Sequence, residues 1–229
     1  LQQWPKREHR EIRRVICAPP GHSFVAVDYG QLEARVIAML TKCPVLSKEI
    51  FDKIDIHSFW TEQLGKSFAP EMLKTKQSRE HLRDYVKNKW TFPLFYGSKM
   101  ESVAYDLSTV FGYELPTQQV NLHYSEFWDK YKAIYEWQQN LIQDYQQHGF
   151  VATAYGFRRR APLTENEIIN SPVQGTAAQL VMEAQAQLST KAFVENRPYY
   201  QPVINLHDDL SFYIPNDILE ESVELITRE

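Results

Sequence analysis

The sequence predicts an α+β fold, a small antiparallel sheet interrupted by a large helical insertion. Two apolar runs rich in β-branched and aromatic residues, Phe24–Tyr29 and Val203–Ile214, lie near opposite ends of the chain, and most of what separates them carries helical spacing. Both runs contain carboxylates at strand ends, Asp28 in the first and Asp208 with Asp209 in the second. At 229 residues, with 43% hydrophobic and 13% aromatic content, the chain can bury a sizeable core, which excludes a disordered chain.

Taken in order, residues 1–14 read as irregular and basic, broken by Pro5, and Ala18-Pro19-Pro20-Gly21 as a turn. Phe24–Tyr29 then reads as a buried strand. Leu32, Val36, Ile37 and Leu40 recur at helical spacing over 31–40, so the strand passes directly into a helix and Asp28 sits at the junction. Helices are expected over Ile56–Gly65 and Ser78–Phe95 with a loop around Pro70, and Pro93, which has no N–H, should kink the second. Further helices are expected over Thr117–Lys130 and Tyr131–Gln147, the latter stopped by Gly149. Val151–Tyr155 reads as a short strand, and Ser171-Pro172 as the start of a helix reaching Asn196. Val203–Ile214 suits two short antiparallel strands turning at His207-Asp208-Asp209. No repeat or low-complexity segment interrupts this order.

No apolar stretch approaches the roughly 20 residues that span a bilayer, and the N-terminus lacks a signal pattern, so a soluble, cytoplasmic protein without a membrane partner is expected. Cys17 and Cys43 sit in no metal or redox motif and fit a reducing compartment. Net charge is −4, yet basic residues cluster at Lys6, Arg7, Arg10, Arg13 and Arg14, at Arg83, Lys87 and Lys89, and at Arg158, Arg159 and Arg160. Three such clusters around an acidic site fit phosphate contacts. The chain begins without Met and stops soon after the second acidic run, as a fragment of a longer protein would.

Strands that deliver distant carboxylates to one end of a sheet are a means of gathering hard divalent cations, so Asp28 and Asp208 imply a two-metal phosphoryl-transfer site with two Mg²⁺ ions. Mg²⁺ fills its octahedron with substrate phosphate and water, so two acids suffice. Asp209 lies beside them, and His207 reads as a packing histidine.

Asp28-Tyr29-Gly30-Gln31-Leu32-Glu33-Ala34-Arg35 resembles the Asp-Tyr-Ser-Gln-Ile-Glu-Leu-Arg motif of family A DNA polymerases, and Leu206-His207-Asp208-Asp209 resembles that family's Val-His-Asp-Glu. Leu1-Gln2-Gln3-Trp4-Pro5-Lys6-Arg7, Asp55-Ile56-His57, Phe92 to Tyr96-Gly97, and Asn170-Ser171-Pro172-Val173-Gln174-Gly175-Thr176-Ala177-Ala178 are similar to further family segments, in the family's order. The resemblance implies a partial right-hand polymerase fold, with the first part of the palm over 1–55, helical fingers over 56–150 and the second part of the palm over 151–229. It implies template-directed addition of deoxynucleotides to a primer 3′-hydroxyl, with primer-template DNA and dNTPs as partners; replisome partners are not readable. Short, divergent motifs lean toward a bacterial virus.

By the same resemblance, Asp28, Asp208 and Asp209 are catalytic, with Asp28 and Asp208 bridging the metals and Asp209 standing where the family usually has Glu. Glu33 corresponds to the steric gate that excludes a ribose 2′-hydroxyl, and Gln31, His57, Arg83, Lys87, Phe92 and Tyr96 to nucleotide contacts. Arg7, Asn170 and Gln174 match positions that read the minor groove of primer-template DNA, where acceptors shared by all base pairs allow shape to be checked; Arg158, Arg159 and Arg160, as a basic cluster, are expected to meet template or primer phosphate. One spacing departs from the family: five residues separate Lys87 from Phe92 where it has four, a phase error of roughly 100° on a regular helix. A one-residue π bulge near Pro93 would absorb it. An ungapped match instead puts Asn88 and Asp84 at the cationic positions, and Lys89 is the alternative cation. The competing readings are a single-subunit RNA polymerase, which would not be expected to carry the Glu33 gate, and a truncated fragment that holds DNA without extending it.

Overall fold

The computed structural model describes residues 16–160 and 162–228; the basic N-terminal segment, Arg7 included, lies outside the described residues. Strand β1 (His22–Asp28) leads through a short turn into α1 (Leu32–Thr41), followed by α2 (Pro44–Phe51), α3 (Ile56–Phe68), a 3-10 turn and α4 (Lys76–Val86). A π-helical turn over Lys87–Thr91 joins α4 to α5 (Phe92–Phe95); α6 (Met100–Phe111), α7 (Thr117–Lys130) and α8 (Lys132–His148) follow. The short strands β2 (Phe150–Ala152) and β3 (Arg158–Arg160) precede α9 (Glu165–Val194), and β4 (Ile204–Leu206), β5 (Asp209–Pro215) and α10 (Leu219–Arg228) complete the described chain. The chain divides into two compact units, one of the described residues up to Leu32 and from Gly175 onward, the other of Glu33–Gln174.

The first unit is built on a three-stranded antiparallel sheet in the order β1-β5-β4. Because β5 is central, its Leu210, Phe212 and Ile214 are buried on one face, and α10 packs against it. The register is continuous from His22 opposite Pro215 to Asp28 opposite Asp209. β1 departs from the expected buried strand: Phe24, Ala26 and Asp28 are exposed, and Val25 and Val27 between them are half-buried. Among the described residues it is an edge strand covered on one face, which restores the period-two alternation of antiparallel sheets. The expected hairpin at the acids is present, with Leu206 opposite Asp209 and a two-residue loop of His207 and Asp208.

The second unit is helical and closes around an aromatic cluster centred on Phe127 of α7. Its ring lies 5.1 Å from Trp60 of α3, 6.1 Å from Trp90 of the π turn, 5.3 Å from Phe95 of α5 and 4.9 Å from Tyr131. The buried Glu49 carboxylate accepts from the Tyr131 hydroxyl (2.9 Å) and the Lys130 ammonium (2.7 Å), fastening α2 to the α7–α8 junction.

The start of α9 corrects the sequence reading. Thr164 and Glu167 form a capping box, the Thr164 N–H donating to the Glu167 carboxylate (3.0 Å) and the Glu167 N–H to the Thr164 hydroxyl (3.3 Å). Ser171 and Pro172 therefore lie inside the helix, where the Ser171 hydroxyl donates back to the Glu167 carbonyl. The Arg158–Arg160 cluster is also a strand, β3, paired with β2, which ends at Ala152 rather than at Tyr155. Helices α2, α6 and α10 lie in stretches for which the sequence reading proposed no element. No helix among the described residues is long and apolar enough to cross a membrane.

Candidate active site

Strand pairing brings the acidic positions of the first unit together. Asp28 and Asp209 are direct cross-strand partners, so their side chains leave the same face of the sheet, and opposite residues in such a ladder have Cα atoms roughly 4.5–5.5 Å apart. One residue further, the Tyr29 N–H donates to the Asp208 carbonyl at 3.1 Å, extending the pairing past the strand ends. Asp208 is the second residue of the hairpin loop, and Asp209 accepts from the Ser211 hydroxyl at 2.9 Å on its own strand. Among the described residues no three side chains of His, Cys, Asp or Glu converge as a complete metal cage. The oxygen-only donors at this sheet end fit a hard cation that takes the rest of its shell from phosphate and water.

Two residues flanking these acids hold left-handed backbone, Gln31 with φ 58° and His207 with φ 60°. Such conformations are uncommon away from glycine and persist where the surroundings enforce them. His207 takes the positive φ at the first position of the two-residue loop, as in a tight hairpin turn, so its place in the backbone accounts for it without a chemical role.

The candidate nucleotide residues of the second unit lie along α1, α3 and the α4–α5 stretch. The Phe92 N–H donates to the Lys87 carbonyl five residues back, and Pro93, lacking a donor, follows immediately. The bulge expected near Pro93 is therefore present as a π turn, and it absorbs the extra residue. The Lys87 ammonium lies 5.5 Å from the centre of the Phe92 ring, Phe92 stacks on Tyr96 (6.0 Å, 13° between planes), and the His57 ring is 5.2 Å from Phe92. Neither alternative cation position joins this row: the Asn88 amide donates to the Asp84 carbonyl, and Lys89 pairs with Asp106.

Asp55, quoted in the sequence only as the first residue of Asp-Ile-His, is the hub of this row. It caps α3, accepting from the N–H groups of His57 (3.1 Å) and Ser58 (3.3 Å) and from the Ser58 hydroxyl (2.7 Å). It also takes the Arg83 guanidinium bidentately, from Nε at 2.6 Å and Nη2 at 3.0 Å. Burial works to raise its pKa, but the bonds from Arg83 and Ser58 prevail and hold it well below the usual carboxylate range. Burial, then the charges of Arg83 and Lys87, push His57 down to about 4 against the opposing pull of Asp55. His57 is therefore neutral at pH 7, and its buried Nδ1 makes no hydrogen bond.

Glu33 lies in the first turn of α1 and acts on Tyr96. Burial, reinforced by the Glu33 carboxylate, raises the Tyr96 hydroxyl far above the ordinary phenol range, although that hydroxyl lacks normal hydrogen-bond geometry to any described partner. Gly97 follows at φ 86°, a left-handed backbone that favours glycine, and a Cβ there would meet the tip of the Ile169 side chain of α9 at 2.4 Å, so Ile169 would have to shift.

Of the candidate DNA contacts, Asn170 and Gln174 lie four residues apart on one side of α9; the buried Asn170 Oδ1 has no partner and Gln174 is exposed. Because α9 begins at Glu165, neither is an N-cap. The Arg158 guanidinium rests over the Phe150 ring at 4.5 Å. Arg159 is bonded to Ser171 and Glu167 (2.8 Å each), which ties β3 to the first turns of α9.

The family model for DNA polymerase family A matches residues 1–229. DNA polymerase I of Chloroflexus aurantiacus is 30% identical over 99% of this chain, and that of Aquifex aeolicus 27% over 96%. These alignments cover 24% and 37% of the two relatives, so the chain spans about a quarter to a third of their lengths. Among solved structures, the polymerase domain of Pol1 from M. smegmatis, in complex with DNA primer-template and dNTP, superposes with a TM-score of 0.79 at 21% identity, covering 99% of this chain and 40% of that one. At that identity the likeness establishes the fold.

Proposed function

The chain belongs to DNA polymerase family A, and on that premise we propose that it performs template-directed addition of deoxynucleotides to a primer 3′-hydroxyl. The observation that carries this reading is the cross-strand pairing of Asp28 with Asp209, locked at its end by the Tyr29 bond to Asp208, which collects carboxylates at one end of one sheet.

Asp28 and Asp208 would hold two Mg²⁺ ions, which would stabilise the entering and leaving oxygens of an in-line displacement. Asp209 adds negative charge beside them and is itself oriented by Ser211. Arg83 and Lys87 supply positive charge for a triphosphate, and neutral His57 offers it a hydrogen bond. Phe92 and Tyr96 form a flat apolar surface on which a base can stack, and Gln31 contacts the triphosphate. Glu33 occupies the space that a 2′-hydroxyl would need. The primer 3′-oxygen bonds to the α-phosphorus as the bond to the β-phosphate oxygen breaks, releasing pyrophosphate, and the hydroxyl proton passes to solvent. Arg7, Arg158, Arg159, Asn170 and Gln174 hold primer-template DNA, the basic residues through phosphate and the amides through the minor groove.

Primer extension in Mg²⁺ tests the reading. Extension with dNTPs and little or none with NTPs is expected. Extension with NTPs at a comparable rate would make the enzyme an RNA polymerase, and a gel shift without extension would reduce the chain to a DNA-binding module.

A further inference from the structure

Arg83 meets Asp55 edge-on. The carboxylate takes Nε and Nη2, a side-on pairing that uses two of the five guanidinium N–H donors and leaves three, both on Nη1 and one on Nη2, without a described protein acceptor. The same carboxylate accepts the backbone N–H of His57. A single acid thus ties the first turn of α3, which carries His57, to Arg83 of α4, a cation of the same row. Each partner of the ion pair keeps about a third of its side chain exposed, so the pair borders solvent from which an anion can approach.

We propose that Asp55 is a positioning residue for the nucleotide triphosphate: by occupying the side-on edge of Arg83 it presents the end-on N–H pair to phosphate, and by capping α3 it holds His57 beside it. This inference rests on the reading of Arg83 as a triphosphate contact. An isolated carboxylate near a triphosphate would repel it, but Asp55 and Arg83 together carry no net charge, and a guanidinium held in one orientation loses less freedom when phosphate binds.

The test is steady-state primer extension by the full chain with Asp55→Asn, which keeps an N-capping oxygen and removes the charge that orients Arg83. The expected result is a KM for dNTP raised about tenfold, kcat within about twofold and DNA affinity unchanged. In an Arg83→Ala background, which raises KM by itself, Asp55→Asn should add nothing further. An unchanged or lowered KM in Asp55→Asn alone, or an equal rise in both backgrounds, overturns the positioning role while the nucleotide site stands. A normal KM in Arg83→Ala removes the site reading and the inference with it. If Asp55→Asn melts early, Asp55→Ser, another capping residue without charge, carries the same expectations.

Discussion

His57 is neutral for reasons that can be read from its neighbours. It lies within the first turn of α3, against the Phe92 ring, and its burial, with the charges of Arg83 and Lys87 added, outweighs the attraction of Asp55. Its folded pKa of about 4 lies below the roughly 6.5 of an unfolded histidine, so the unfolded chain binds more protons between these values. This site's contribution to stability is therefore fully present above about pH 6.5 and is lost as pH falls toward 4. In the free chain, NMR of the His57 ring should show a titration midpoint near 4, rising when a nucleoside triphosphate brings negative charge to Arg83 and Lys87. A midpoint near 6.5 in the free chain would contradict this electrostatic account. The identities of Asp28, Glu33, His57 and Asp208 as candidates were legible because each stands in a short contiguous motif. The bidentate bond of Asp55 was not, since its partner Arg83 is 28 residues away and only packing of α3 against α4 brings them together. A capping signal was nonetheless present, an Asp immediately before a helix with Ser58 three residues on.

The π turn shows how an element can carry an added residue without losing its face. Lys87 and Phe92, five residues apart, would stand roughly 140° apart on a regular helix, yet the Lys87 ammonium reaches the Phe92 ring because the turn between them is wider. Asn88, exposed and bonded only to the Asp84 carbonyl of its own helix, is a residue this turn can lose. Deleting it should convert the π turn to an ordinary α turn with Arg83, Lys87, Phe92 and Tyr96 still aligned. The expected change in stability is within about 1 kcal/mol, a shift of roughly 2–4 °C in melting temperature for a chain of this size, with dNTP KM within about threefold. A loss of nucleotide affinity of about a hundredfold, seen in a folded variant, would contradict the alignment. Elements with strong punctuation were legible, such as α7 behind Pro116 and α8 stopped by Gly149, whose φ is 73°. The start of α9 was misread because a Ser-Pro pair imitates a helix start, whereas the Thr164–Glu167 box, two turns upstream, does the capping. β3 was hidden because three successive arginines carry no alternation of apolar and polar residues, and its pairing with β2 is not written in their side-chain pattern.

At the scale of the whole molecule, the strands that hold the acids come from opposite ends of the sequence and share one compact unit, while the helical residues between them form a unit of their own. The α+β class, a small antiparallel sheet with helices between its strands, was legible in outline from the two apolar runs and the helical spacing between them. The edge character of β1 was not, because a short apolar run reads the same whether one face or two are covered. The central claim is that Asp28 and Asp208, 180 residues apart, act together on metal-bound phosphate. The most direct measurement is Mg²⁺-dependent primer extension by Asp28→Asn and by Asp208→Asn, with binding of primer-template DNA followed in parallel. Each variant should lose extension by about 10³-fold or more, since each removes a charge worth several kcal/mol in the transition state, while DNA affinity stays within about threefold. Near-normal extension by either variant would contradict the shared metal site.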